Sequence, residues 1–240
     1  MASVAARIAR FAVLALALLL AREAVADPAT LDSYERSAAA FADGLALAER
    51  GLDEEASGSY QEAIRLDAGF VEAMVNLARI RLRQGDPARA REWLDRALRL
   101  APAYPPVHAA RGLEARQRGD LQEALRAFTR ARTLDPENAE ILANLGATLF
   151  ELGLDEDARG VLEDARRCAP VRPEPVLTLA LLWDQRGDRG RAAFFYDQFL
   201  SLVGTDDPAR ASAEARLREL APNSLKGVRA VSETVNERIK

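Results

Sequence analysis

Residues 139–172 read AEILANLGATLFELGLDEDARGVLEDARRCAPVR, a segment of 34 residues with two apolar stripes and a break between them. Leu142, Leu145 and Leu149 recur at steps of three and four, the period of one helix face. Gly153 interrupts that stripe, Ala158, Leu162 and Ala165 open a second at the same period, and Pro170 stops it. The segment is one of five in register. Stepping by 34 gives Gly51, Gly85, Gly119, Gly153 and Gly187, and the same step links Ala56, Ala90, Ala124, Ala158 and Ala192. A third column holds Ala63, Ala97, Ala131 and Ala165, closed by Phe199. A fourth is Tyr60, Leu94, Phe128, Leu162 and Tyr196, and a fifth holds Pro102, Pro136 and Pro170, with Ala68 and Gly204 at its ends. The units run 37–70, 71–104, 105–138, 139–172 and 173–206.

Each column has a physical reason. Gly44, Ala78, Gly112, Gly146 and Ala180 fall where the two helices of a unit cross, and a larger side chain there forces them apart. The column beginning at Ala56 is the other half of that contact. The glycine column lies just past the first helix, where a left-handed cap favours a residue without Cβ. Asp86, Asp120 and Asp188 then stand in position to cap the second helix. Units of this kind cannot bury their apolar faces alone, so stacking creates the core.

The pattern of a large residue, Leu-Gly/Ala, a second large residue, and then the Ala, aromatic, Ala and Pro columns resembles the tetratricopeptide repeat family. The fourth unit carries it through Leu142, Leu145-Gly146, Leu149, Gly153, Ala158, Leu162, Ala165 and Pro170. The resemblance implies an all-α, right-handed α-solenoid of five helix–turn–helix units, with first helices lining a concave face that grips a peptide or helix of another protein. Carried over residue by residue, the second unit gives that groove Val75, Asn76, Arg79, Leu82 and Arg83. The third gives Ala109, Leu113, Arg116 and Gln117, and the fourth Ala143, Asn144, Ala147, Phe150 and Glu151. Phe41 and Leu45 of the first unit, and Leu177, Leu181, Asp184 and Gln185 of the fifth, complete the carry-over. Asn76 and Asn144 resemble the family's asparagine that hydrogen-bonds a peptide backbone. The lysines of the family's carboxylate clamp are absent from the matching positions, which argues against an adaptor for chaperone tails.

The flanks read as a leader and a cap. Arg7 and Arg10 precede the unbroken apolar run Phe11–Ala21, and Ala24-Val25-Ala26 follows as a small-x-small cleavage pattern. A run of that length is about half of what a bilayer core requires, so residues 1–26 read as a signal peptide. The alternative is an uncleaved anchor through residues 11–21, the one route by which the protein would touch a membrane. The expected location is therefore periplasmic or secreted, or anchored in the inner membrane if cleavage fails. Asp27-Pro28 and Asp207-Pro208 read as helix starts. The second opens a capping helix over 207–220, and the tail 221–240 is polar, either disordered or a short helix.

Composition narrows the function. The 240 residues are 49% hydrophobic and carry a net charge of −4, which offers nucleic acid no basic surface. Loss of residues 1–26 removes three Arg and one Glu and takes the charge from −4 to −6. One Cys excludes an internal disulfide, and one His cannot build a multi-histidine metal centre. No phosphate-binding glycine loop appears, and the carboxylates are scattered, so the expectation is a scaffold with no enzymatic role, cofactor or metal. An enzyme with carboxylate chemistry is the alternative from another class. Cys168 shares a column with Leu66, Leu100, Leu134 and Leu202 and reads as a small core residue. His108 shares one with Ala40, Met74, Leu142 and Val176 and reads as a packing position. Trp93 and Trp183 are expected to pack between units. Arg111 and Arg81 stand in apolar columns, as does Arg132. Either their stems cover the core with heads in water, or units two and three present a basic patch to an acidic partner.

Overall fold

The computed structural model describes residues 28–221, with side chains from Leu31 onward. The leader and the tail beyond Ala221 lie outside the described residues. Among the described residues the fold is all-helical, with eleven helices and no strand. They are α1 (Pro28–Glu49), α2 (Asp53–Leu66), α3 (Val71–Arg83), α4 (Pro87–Leu100), α5 (Pro105–Gln117) and α6 (Leu121–Leu134). The series continues with α7 (Ala139–Glu151), α8 (Asp155–Cys168), α9 (Pro173–Gln185), α10 (Arg189–Leu202) and α11 (Arg210–Leu220). The chain divides into two compact units, Met1–Leu77 and Ala78–Lys240, with the division inside α3.

In the first unit α1 and α2 form an antiparallel hairpin around Tyr60. A Cβ on Gly44 would lie 2.6 Å from the Tyr60 ring, so glycine there lets α1 and α2 approach. Phe41 stands 5.6 Å from Tyr60 and 4.8 Å from Phe70, ring centre to ring centre. Ser33 Oγ donates to Leu66 O at 2.8 Å and ties the start of α1 to the end of α2.

In the second unit the hairpins α5–α6, α7–α8 and α9–α10 stack, and α11 covers α10. The crossing positions behave as their small residues require. A Cβ on Gly112 would lie 2.6 Å from the Phe128 ring, and one on Gly146 would lie 2.6 Å from Leu162. At the end of α5, Gly119 takes φ +81°, Gly119 N donates to Arg116 O at 3.0 Å, and Asp120 N donates to Ala115 O at 2.9 Å. This is the left-handed helix ending that glycine adopts at low cost. Asp120 Oδ1 then accepts from Glu123 N at 2.9 Å, and Asp86 and Asp188 cap α4 and α10 in the same way. Helices α2 and α8 lack such a cap. Their first turns instead carry three acids each, Asp53, Glu54, Glu55 and Asp155, Glu156, Asp157, placed against the positive end of the helix dipole.

Three expectations need correction. Cys168 is exposed, because its column occupies the last residue of each second helix, where Leu100 is likewise 51% exposed. His108 is only half-buried, although Met74, Leu142 and Val176 of its column are buried. Its Nε2 lies 2.8 Å from Pro102 O, and since a carbonyl only accepts, Nε2 carries the proton and ties the ring to the preceding turn. Finally, the last helix begins at Arg210, since Asp207 Oδ1 accepts from Ala209 N at 2.8 Å and closes a turn before it.

Helix α11 is fastened through its C-terminal half. Arg216 of α11 makes a bidentate pair with Asp184 of α9, with Nε–Oδ2 and Nη2–Oδ1 both at 2.7 Å. Arg189 Nη2 donates to Glu219 O at 2.7 Å, at the end of α11. The Arg216 hydrogen bonds hold the Asp184 carboxyl below its ordinary range despite partial burial. Tyr196 donates to the same carboxylate at 3.3 Å, and burial together with the neighbouring charge pushes its phenol up to about 12.

Candidate binding groove

Within the second unit the first helices α5, α7 and α9 leave a groove of about 480 Å³. Its apolar lining includes Leu113 of α5, Ala143 and Ala147 of α7, Leu177 of α9 and Phe199 of α10. Ala143 and Ala147 are one helical turn apart, so α7 presents its backbone closely to whatever enters. Asn144 lies between them, and its amide donates to Glu140 O at 2.9 Å. Arg116, Glu140, Arg172 and Glu174 supply the charged rim.

The carried-over residues do not all meet here. Leu113, Arg116, Asn144 and Ala147 line the groove. Arg79 reaches it indirectly, through an ion pair with the rim residue Glu140. Leu82 contributes a backbone carbonyl, which accepts from Gln117 Nε2 at 3.0 Å. Phe150 packs against the buried core, and Arg83 is exposed outside the groove lining. Val75 and Asn76 belong to the first unit. Val75 is 3% exposed, so the carry-over of this residue to a partner surface is corrected to a core role.

Nor do the arginines form an open basic patch. Arg116 pairs with Glu151 at 2.7 Å and Arg172 with Glu174 at 3.2 Å, so the rim is lined with matched charges. Arg111 is drawn into a cluster with Asp95 of α4 and, at 2.9 Å, Glu123 of α6. Both readings of Arg111 are therefore corrected: its head lies in ion pairs within the chain. Sequence reasoning missed the centre of this cluster, Glu114, which is fully buried. Its carboxylate meets Arg91 at 3.2 Å and Arg118 at 2.6 Å. Glu123 also holds Arg91 at 3.3 Å and Arg118 at 2.5 Å. Burial pushes the Glu123 carboxyl up, but the Arg118 hydrogen bond and the charges of Arg111 and Arg91 outweigh it and bring it below its ordinary value. The signal was present in the repeat, because Glu114 shares its column with the buried Ile80 and Leu182. Arg111 and Glu114, three residues apart on α5, are charges in largely apolar columns, and each finds its opposite charges on other residues.

The tetratricopeptide repeat family profile matches residues 41–113 and 115–182, more than half of the chain. The chain is a tetratricopeptide repeat protein. This tetratricopeptide repeat protein is 26% identical over 171 residues to cellulose synthase operon protein C of Pseudomonas fluorescens (strain SBW25), covering 68% of this chain and 13% of that protein. It is 30% identical over 101 residues to photosystem I assembly protein Ycf3 of Cyanophora paradoxa, covering 38% of this chain and 58% of that one. The chain thus spans less than two thirds of each of these relatives. Among solved structures, PilF of Pseudomonas aeruginosa superposes with a TM-score of 0.66 at 23% identity, covering 84% of this chain and 99% of the other. PilW, described as a widely conserved type IV pilus biogenesis factor, gives 0.69 at 18% identity, covering 79% and 87%. Among the described residues, no cluster of His, Cys, Asp and Glu is arranged to hold a metal, and no helix is long and apolar enough to cross a membrane.

Proposed function

We propose that this tetratricopeptide repeat protein is a non-enzymatic scaffold, exported from the cytoplasm, that binds a peptide or helix of a partner protein in the groove of α5, α7 and α9 and serves an envelope or secretion assembly. The observation that carries this reading is the groove itself. Its apolar floor is interrupted by small residues at Ala143 and Ala147, and its rim carries charges of both signs already matched within the chain. Such a surface gains affinity from apolar contact and orientation from the rim. A partner with large apolar side chains on one face and a balanced charge fits it better than a strongly acidic one. The envelope role draws support from the relatives described as a pilus biogenesis factor and a cellulose synthase operon protein.

The test is photo-crosslinking from Ala147 of the full chain in its own cells, followed by mass spectrometry. The scaffold reading expects a specific protein that is lost when Thr178→Trp, at a half-exposed lining position on α9, fills the groove while the helical signal and melting temperature stay unchanged. A crosslinked protein that persists in that variant, or recovery of none, refutes it. Sequencing the N-terminus of the protein recovered from cells tests export, since Asp27 at the start is the cleaved form. A chain that still begins at Met1 refutes cleavage.

A further inference from the structure

Away from the groove, a recess of about 620 Å³ opens between α8 and α10, where the end of α9 comes up between them. It shares no lining residue with the groove. Trp183, Phe194 and Phe195 give it an aromatic wall, and Arg159, Arg186 and Arg191 line it as well. Phe194 is 55% exposed, yet its register in the other units holds Gly58, Glu92, Arg126 and Gly160, the small or polar choices of an outward face. The ring packs edge-on against Phe195 at 5.2 Å between centres, and its exposed half joins Trp183 in one apolar patch inside the recess, the kind of surface that takes a partner.

The charges around the recess are unequally engaged. Glu156 is held by Arg186 at 2.6 Å and by Arg159 at 3.0 Å, and Glu163 by Arg166 at 2.6 Å. Arg191 differs. Its guanidinium stands 4.2 Å from the centre of the Trp183 ring, and among the described residues its nearest carboxylate is Asp188 at 3.6 Å, beyond hydrogen-bond range. Its side chain is 60% exposed. Guanidinium stacked on an indole keeps its N–H groups available for a planar acceptor, and carboxylates are the acceptors that match its fork. Tryptophan and arginine at a recessed apolar spot are also the residues that most often carry interface energy.

We propose that this recess is a second docking site, taking an acidic segment of another protein that carries an aromatic or long aliphatic anchor. The anchor fills the space against Trp183 and Phe194, and a neighbouring carboxylate of the segment pairs with Arg191. A basic segment is disfavoured, because both lining glutamates already have arginine partners within hydrogen-bond range, whereas Arg191 is held only by the longer contact to Asp188. The site is independent of the groove, so the protein can hold two partner segments at once.

The experiment uses the full chain with Trp93→Phe, which leaves Trp183 as its tryptophan reporter. Three synthetic peptides are titrated by fluorescence: Asp-Glu-Phe-Leu-Glu-Asp, its charge-reversed form Lys-Arg-Phe-Leu-Lys-Arg, and the anchorless Asp-Glu-Ala-Ala-Glu-Asp. The acidic anchored peptide is expected to give a saturable change and the other two none. Phe194→Ala and Arg191→Glu each weaken it by about tenfold or more without moving the melting temperature, since both side chains are exposed. Thr178→Trp in the groove leaves it unchanged. Equal binding of the charge-reversed peptide, no saturable change with any peptide, or indifference to both recess substitutions overturns the proposal. A concentration-dependent dimer that Phe194→Ala abolishes assigns the recess to a second copy of the chain and also overturns it.

Discussion

The arginines around Glu114 permit a test in which two single substitutions and their combination behave differently. Glu114 is fully buried on α5, with Arg91 and Arg118 both in contact and each about one-third exposed. Replacing either arginine with Met leaves the carboxylate one cation, and water reaches the arginine side of the cluster. The expected cost is about 1 kcal/mol for each single change, the value for a partly exposed charged hydrogen bond. Replacing both strands a buried carboxylate without a cation, which costs about 3–5 kcal/mol, here nearer 3 because the site is close to solvent. The double variant therefore exceeds the sum of the singles by about 1 kcal/mol or more. Glu114→Leu is the counterpart. It restores the apolar residue type found at Ile80 and Leu182, while Arg91 and Arg118 keep Glu123, so the expected change is within about 1 kcal/mol of zero. Urea unfolding followed by circular dichroism reads these values. With a slope of about 2 kcal/mol/M, a 3 kcal/mol loss moves the midpoint by about 1.5 M. Strict additivity of the arginine changes, or a loss of more than about 3 kcal/mol for Glu114→Leu, refutes the account of Glu114 as a charge held only by its two partners.

Other outcomes follow from the packing and from the α9–α11 contact. Gly112→Ala puts a Cβ 2.6 Å from the buried Phe128 ring, so despite the better helix propensity of Ala it is expected to destabilise by about 1–2 kcal/mol. Adding Phe128→Leu recovers part of that loss in the same urea assay, since Ala78 and Leu94 hold these two columns in another unit; no recovery argues against the close crossing as the cause. The pair Asp184 and Tyr196 shapes both ends of the pH profile. The Asp184 carboxyl sits below its unfolded value, so its contribution is present above about pH 4 and is lost as pH falls through the folded value, and Asp184→Asn flattens that acid limb. The Tyr196 phenol is pushed up to about 12, so stability is intact below pH 10 and declines as pH rises from there toward 12. Tyr196→Phe removes that alkaline decline in melting temperature, and an unchanged alkaline limb speaks against the buried phenol.

The fold was legible to an unusual depth because its determinants are local. The glycines past each first helix, the aspartates at Asp86, Asp120 and Asp188, and the small residues facing Tyr60, Phe128 and Leu162 all act within one unit of 34 residues. The groove was legible less fully. Carrying positions over from the family found Leu113, Arg116, Asn144 and Ala147, but it placed Val75 on a surface where the helix buries it. Cys168 was misread for a related reason. Its column is apolar in every other unit, yet the position ends a helix, and leucine is tolerated there half in water.

The sequence by itself determined the class of the protein, the number and phase of its helical units, and the residues at the Asp86, Asp120 and Asp188 caps and at the crossings. These follow from contacts between neighbours along the chain, which periodicity records directly. Only the tertiary structure decided what the charges do. Arg79 finds Glu140, 61 residues away, and Arg116 finds Glu151, so a stripe that reads as basic in one dimension is a set of matched pairs. Glu114 is buried between Arg91 of the preceding unit and Arg118, while Arg191 lies on the face of Trp183 with Asp188 no nearer than 3.6 Å. Charge acts across space rather than along sequence, and long arginine side chains reach from one helix to the next, so pairing is settled only when the helices stack.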